Sequence, residues 1–296
     1  MQRLILSALA AYLAAAVSSL AQKPALEVPP QPPTLRVMSF NIRNSAAHDG
    51  ANHWKFRQEV VTATVRAFDP DLLGTQEVLA DQYDDLQRIF PDYTMAGVAR
   101  DDGARKGEWS AILFRTARFE RLGGGDFWLS ETPEKVGSIS WNAACVRICT
   151  WVRLRDRVTG RAFLYANTHF DHQSAPARLQ SARLMSERLP LLAEGGDVIV
   201  SGDFNCTEDD DAYAALLRAP APGGKGLADS YRAVHPEQSK EEASFHAFKS
   251  TTRGSRIDWI LHGPAFHALS AEIVRSPGQP PASDHFPVTT VLRWNP

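Results

Sequence analysis

Apolar and polar residues alternate through LRVMSFNI (35–42), with Leu35, Val37 and Ser39 on one side and Met38, Phe40 and Ile42 near the other, which predicts a strand. Phe56, Val60, Ala63 and Ala67 then recur at spacings of three and four, predicting an amphipathic helix over 54–67 that Asp69-Pro70 ends. DLLGTQ (71–76) reads as a buried strand, and Asp81 to Phe90 as a helix stopped at Pro91. Four strand-like runs follow, WSAILF (109–114), RFERLGGGDFWL (118–129), CVRICTWVRL (145–154) and RAFLYANTHF (161–170). Gly-rich or charged turns join them, as in an antiparallel meander. Leu179, Ala182, Met185, Leu189 and Leu192 mark the longest helix, 174–192, before a fully buried strand at DVIVSGDF (197–204). The remainder predicts a helix at 209–218, a loop at 219–226, and strands at 256–262, 266–274 and 285–294. Strands outnumber helices, and β-turn-β segments mix with β-α-β ones. The expected fold class is therefore α+β, one domain of two packed sheets with helices outside.

The first apolar stretch has a different character. Met1-Gln2-Arg3 is a basic start, Leu4 to Val17 is apolar apart from Ser7, and Ser19-Leu20-Ala21 supplies small residues at a cleavage site. This pattern predicts a signal peptide over 1–21, hence a periplasmic or secreted protein. The run is shorter than the roughly 20 apolar residues a spanning helix needs, and no membrane span is expected in the mature protein. QKPALEVPPQPPT (22–34), with five prolines in thirteen residues, reads as an extended linker, leaving 35–296 as the folded domain. The chain carries 32 basic and 34 acidic side chains, a net charge of −2. That argues against a protein that grips nucleic acid through bulk positive charge. Three cysteines, Cys145, Cys149 and Cys206, make no disulfide framework, and on one strand the first two would stand roughly 13 Å apart.

Against this background, polar residues at strand ends stand out: Asn41 after VMSF, Glu77 after LLGTQ, His169 after LYANT, Asp203 and Asn205 around VIVSG, and Asp258 after RI. Ser283-Asp284-His285 forms a sixth cluster before the last strand. The carboxylates supply hard oxygen ligands, suited to Mg²⁺, with Mn²⁺ or Ca²⁺ as alternatives. Histidines suit proton transfer near neutral pH, and the amides can donate to an anion. Together they make a kit for attacking a phosphate ester with water.

MSFNIR (38–43), TQEV (75–78), NTHFD (167–171), SGDFN (201–205), RIDWI (256–260) and SDHFPV (283–288) resemble, in order, the motif series of the endonuclease/exonuclease/phosphatase superfamily, over Leu35 to Trp294. The resemblance implies a four-layered α/β sandwich, with two mixed β-sheets packed face to face and helices outside. It also implies roles. Glu77 would be the main magnesium ligand, Asn41 would touch the metal shell or the phosphate, and Asp284 would lie near the metal. Asp203 would position the attacking water and Asn205 bind the phosphate, while Asp258 orients His285 as general base. His169 would contact the phosphate or the leaving group, oriented by Glu108, with Asp171 in support. Other segments resemble an exported bacterial-type subgroup, in which Arg147, Arg178 and His246 are candidates for binding further phosphate or sugar groups and Trp141 for stacking on a ring. Arg178 reads equally as a helix residue paired with an acid, and Trp141 as a core filler. His172 is expected to face solvent.

The basic segments at 100–106 and 249–253 are short, and acids dilute the first. A small-molecule, sugar or lipid head-group phosphoester is therefore favoured over duplex nucleic acid, diesters over monoesters, and a monomer is expected. Three other readings stay open. They are an extracellular nuclease, an inactive binding module on the same fold, and a metal-free carbohydrate hydrolase using Glu77 and Asp203 as its carboxyl pair.

Overall fold

The structure is a computed structural model that describes residues 33–218, 226–249, 251–275 and 281–296. The expected signal peptide, the linker as far as residue 32 and all but the last residue of the expected 219–226 loop lie outside them. Twelve strands are present among the described residues: β1 (Thr34–Asn41), β2 (Leu72–Gln76), β3 (Tyr93–Ala96), β4 (Ile112–Arg115), β5 (Phe119–Trp128), β6 (Ile148–Asp156), β7 (Ala162–His169), β8 (Asp197–Asp203), β9 (Ala228–Asp229), β10 (Asp258–His262), β11 (Phe266–Ile273) and β12 (Val288–Trp294). The helices are α1 (Trp54–Phe68), α2 (Ala80–Ile89), α3 (Ala175–Leu192), α4 (Asp211–Leu217) and the short α5 (Ser230–Val234). One sheet runs β11-β12-β1-β2-β4-β3 and the other β5-β6-β7-β8-β10-β9. Each is mixed, with one parallel pair at its centre, β1 with β2 and β7 with β8.

Three apolar layers hold four layers of structure together. Leu35, Val37 and Leu72 of the first sheet meet Val152, Phe163 and Ile199 of the second across the middle. On the outer face of the first sheet, Met38, Phe40 and Leu73 pack under Trp54, Val61 and Val65 of α1 and Leu86 of α2. On the outer face of the second, Leu164, Val200 and Trp259 pack under Met185 and Leu189 of α3 and Leu216 of α4. Central strands are therefore covered on both faces, and each fully buried side chain of this size contributes about 1.5–3 kcal/mol. Among the described residues, no helix is long and apolar enough to cross a membrane.

Several expectations need correction. The helix over 54–67 forms, but it buries Trp54, Arg57, Val61, Thr64 and Val65, while Phe56 is exposed. The face is turned because the fully buried Arg57 guanidinium donates to the carbonyls of Ile42 and Ala282. Cys145 lies outside β6, which begins at Ile148, so it shares no strand with Cys149, and all three cysteines are free. Thr34, counted with the linker, opens β1. The edge strand β3, the two-residue β9 and α5 have no counterpart in the sequence reading.

Gly74 of β2 faces the second sheet with no room for a side chain, since an added Cβ would run into Ser201 Oγ and lie 2.5 Å from Asn167 Oδ1. A polar seam surrounds this point. Gln76 Nε2 donates to Asn167 Oδ1 at 2.7 Å, Ser201 Oγ donates to the same oxygen at 3.0 Å, and the Asn167 amide donates to the carbonyls of Thr75 and Ala111. Overpacking of this kind costs about 1–3 kcal/mol. Gly74→Ala is expected to lower unfolding stability in urea by that amount, and an unchanged midpoint would refute so close an approach.

Candidate active site

Strand register builds the rim. β1 and β2 run parallel with Asn41 beside Gln76, so Glu77 emerges just past the end of β2 next to Asn41. Parallel pairing of β7 with β8 sets His169 beside Asp203, and antiparallel pairing of β10 with β8 sets Asp258, the first residue of its strand, opposite Asp203, the last of its own. The turn before β12 adds Asp284 and His285 from the other sheet, pinned by Ser283 Oγ donating to the Asn41 carbonyl at 2.7 Å. Arg43, Glu77 and Asn205 have φ values of 57°, 61° and 50°, in the left-handed region where non-glycine residues are uncommon. Such backbone persists where the surroundings over-determine it, which is frequent at functional sites. Asp258 is fixed from behind, because Ser244 Oγ accepts from both the Ile257 and Asp258 amides, and Arg256 is buried in an ion network with Asp229 and Glu208.

Asn41 is the hub. Its Nδ2 donates to Glu77 Oε1 and to Asp203 Oδ2, each at 3.0 Å, using both hydrogens. His285 Nδ1 donates to Asp258 Oδ2 at 2.9 Å, which leaves Nε2 facing Asp203 Oδ2 at 3.6 Å. Asn205 Nδ2 donates to the Phe170 carbonyl and lies 2.9 Å from His169 Nε2, which therefore accepts. Glu77 Oε2 receives the Asn44 backbone and side-chain amides at 3.1 and 2.9 Å.

Burial discourages charge on Glu77, yet the Asn41 hydrogen bond, the nearby His285, the Asn44 amide and Arg43 hold its pKa below the ordinary value. Asp203 shifts upward through burial and the adjacent Asp258. Burial pulls His285 down, but Asp258 and Asp203 outweigh it and keep the ring protonated to higher pH. His169 goes the other way, pushed down by burial and by Arg147 and Arg100. Asp284 is raised by burial, with Glu77 adding to the rise.

Glu77 and Asp284 offer hard oxygens to a cavity of about 520 Å³, which Asn41, its Oδ1 accepting the Arg43 backbone amide at 3.0 Å, does not line, and like-charged Glu77 and Asp284 raise the demand for a cation between them. Arg43 answers it partly, 3.8 Å from Glu77 and 3.7 Å from Asp284, while its firm hydrogen bond at 2.9 Å goes to Asp49. This donor set fits a hard divalent ion. Asp203, Asp258 and His285 bring ligand atoms within 4.8 Å of one another, a second place where an ion would fit, although the direct His285–Asp258 hydrogen bond suits proton handling there.

The remaining candidates divide. Arg147 and Glu108 line the cavity, but Glu108 pairs with Arg100, and His169 Nδ1 has no hydrogen-bond partner among the described residues, so the expected orientation of His169 by Glu108 is absent. His172 is exposed, as expected, yet lines the same cavity. Asp171 is buried and accepts the amides of Ala144, Gln173 and Ser174, bracing the loop beneath Arg147. Arg178, His246 and Trp141 do not line the cavity. Arg178 binds Asp210 and the Asp171 carbonyl, because α3 points it at the neighbouring loops. His246 lies buried against Phe286, and burial and His285 push its pKa down to about 4. Trp141 is half-buried in a turn, neither core filler nor cavity wall. Sequence reasoning passed over Arg43, Asn44, Arg100 and Phe245, all of which line the cavity. Arg43 stands inside the segment MSFNIR, and Phe245 immediately precedes His246.

The family model described as "Endonuclease/Exonuclease/phosphatase family" matches residues 38–285. Rat nocturnin is 25% identical over 268 residues, 80% of this chain and 58% of the relative, so the chain spans about three fifths of the length of that relative. Among solved structures, an endonuclease/exonuclease/phosphatase protein of Bacteroides vulgatus superposes with a TM-score of 0.80 at 34% identity, covering 89% of this chain and 100% of that one. A mannosyl-6-phosphatase of Bacteroides thetaiotaomicron gives 0.77 at 35% identity, covering 88% and 100%. The human nocturnin catalytic domain, at 19% identity over 89% and 94% of the two chains and a TM-score of 0.71, shares the fold.

Because Arg178 serves the scaffold, Arg178→Ala is expected to cost about 1–3 kcal/mol in unfolding stability through its charged hydrogen bonds. Hydrolytic rates measured on the folded variant should stay near wild type. A large rise in KM at unchanged stability would return Arg178 to the site.

Proposed function

The chain belongs to the endonuclease/exonuclease/phosphatase family, whose members are phosphohydrolases and nucleases, and from that premise we propose that it is an exported, divalent-metal-dependent hydrolase of small phosphate esters. The observation that carries this reading is the buried pair of His285 and Asp258 at 2.9 Å, with the free imidazole nitrogen turned toward Asp203. Sugar phosphates and lipid head groups are the favoured substrates. In support stand the net charge of −2 and the 35% identity to a protein described as a mannosyl-6-phosphatase. Export rests on the basic-apolar-small pattern of residues 1–21.

In this reading Glu77, Asn41 and Asp284 hold the ion, and Mg²⁺ is the natural choice for such oxygens. The bound ion supplies positive charge against the phosphate oxygens. The chain's own groups do the rest. Asp203 accepts a hydrogen bond from the attacking water, and the neutral fraction of His285, which Asp258 and Asp203 keep small until higher pH, takes the water's proton at Nε2 while Asp258 holds the ring by Nδ1–H. A bond forms between the water oxygen and phosphorus, the ester P–O bond breaks, and the departing oxygen leaves as an alcohol once protonated. Asn205 and His169, joined at 2.9 Å beside Asp203, line the same cavity and meet the phosphate there.

Removing divalent ions with a chelator is expected to abolish hydrolysis of phosphate esters, and Mg²⁺ or Mn²⁺ to restore it. Full activity in chelator would favour a metal-free carboxylate pair instead. His285→Ala should lower kcat by about 10²–10⁴-fold, the usual share of a positioned acid or base, with circular dichroism unchanged. A loss of only a few-fold would remove His285 from the mechanism.

A further inference from the structure

Three guanidinium groups line the cavity, and two of them are paired: Arg43 with Asp49 at 2.9 Å and Arg100 with Glu108. Arg147 is not. It sits in the loop just before β6, only 5% exposed, and its Nη2 lies 3.1 Å from His172 Nδ1. A guanidinium only donates, so that nitrogen of His172 accepts. The nearest carboxylate, Asp171, is 4.0 Å from Nε, beyond hydrogen-bond reach, and its oxygens already receive the backbone amides of Ala144, Gln173 and Ser174. Nε and Nη1 of Arg147 are buried and have no partner among the described residues. A buried cation with open donors is unfavourable unless an anion meets it.

Its position says which anion. Arg147 lines the cavity together with His169, and its charge bears on that imidazole. Asn205 hydrogen-bonds that same imidazole. An ester phosphate held between the carboxylates and His169 would present its outer oxygens to Arg147. A diester carries one negative charge, whereas a monoester carries close to two near neutral pH, since its second pKa is about 6. One more guanidinium is what the extra charge requires, and planar N–H donors suit terminal phosphate oxygens.

We infer that Arg147 binds the additional terminal oxygen and charge of a phosphate monoester, so that this cavity takes phosphomonoesters in preference to diesters. This rests on the hydrolytic reading above and reverses the preference for diesters drawn from the sequence.

The test compares p-nitrophenyl phosphate with bis(p-nitrophenyl) phosphate, which share a leaving group, in wild type, Arg147→Met and Arg147→Lys with Mg²⁺ present. Wild type should favour the monoester in kcat/KM. Arg147→Met should lower monoester kcat/KM by about 10- to 100-fold, as expected for lost charged hydrogen bonds, and diester turnover by clearly less, with Lys recovering part of the loss. A wild-type preference for the diester, or equal losses on both esters, would overturn the inference. Thermal melts with inorganic phosphate and with dimethyl phosphate give a readout free of turnover. Phosphate should raise the wild-type Tm more than dimethyl phosphate, and both variants should lose that difference, Lys less than Met. If phosphate protects all three proteins alike, Arg147 is not the anion's partner, whatever the hydrolytic rates. If protection depends on Arg147 while no ester is hydrolysed, the anion site stands and the hydrolytic reading falls.

Discussion

Two sheets can share a catalytic rim only if they come close enough for side chains of both to touch, and in this protein that approach depends on the bare backbone of Gly74. Around it Gln76, Asn167 and Ser201 satisfy one another across the gap, so the contact is polar, specific and intolerant of sliding. These residues lie on the strands that carry the site. Side chains two apart share a face of a strand, so Ser201 and Asp203 point the same way on β8, as do Asn167 and His169 on β7. Gln76 is followed at once by Glu77. Fixing the seam therefore helps to fix Glu77, His169 and Asp203 one or two residues further along, while the turn before β12 adds Asp284 and His285.

The rim is built at an electrostatic cost. Glu77, Asp203, Asp258 and Asp284 converge where burial already disfavours charge. The protein answers with Asn41 as a shared donor, with His285 wedged between two carboxylates, and with Arg43 held partly back by Asp49. The same cavity is also lined by the cations Arg100 and Arg147 and by His169, whose Nε2 accepts from Asn205. A phosphate ester fits this combination, since its negative oxygens need both a cation and donors.

Much of this was legible in the chain. Alternation and buried runs gave most strands, because central strands covered on both faces leave strong apolar signals, and the rim residues were visible as polar groups ending such runs. What escaped notice has physical reasons. The face of α1 was misread because Arg57 is buried on carbonyl partners, and periodicity counts an arginine as surface. β3 is a four-residue edge strand with a single buried position, Ala96. Arg178, His246 and Trp141 occur in suggestive segments, but which way a helix or turn aims a side chain is settled by packing that spacing does not encode. Arg147 was picked out for its segment, whereas its open donors could be seen only in three dimensions.

The hydrogen bond from Ser283 to the Asn41 carbonyl joins groups 242 residues apart in sequence. β1 pairs with β12 along most of its length, and the turn leading into β12 brings His285. Assembly of the rim is thus non-local, resting on contacts that close a loop of most of the chain, the kind of contact whose closure carries the larger entropy cost. A nascent or proteolytically shortened chain lacking β12 would already hold Glu77 and Asp203 but could not order them against His285. Among the described residues, the rim is complete only when the first and last strands have met.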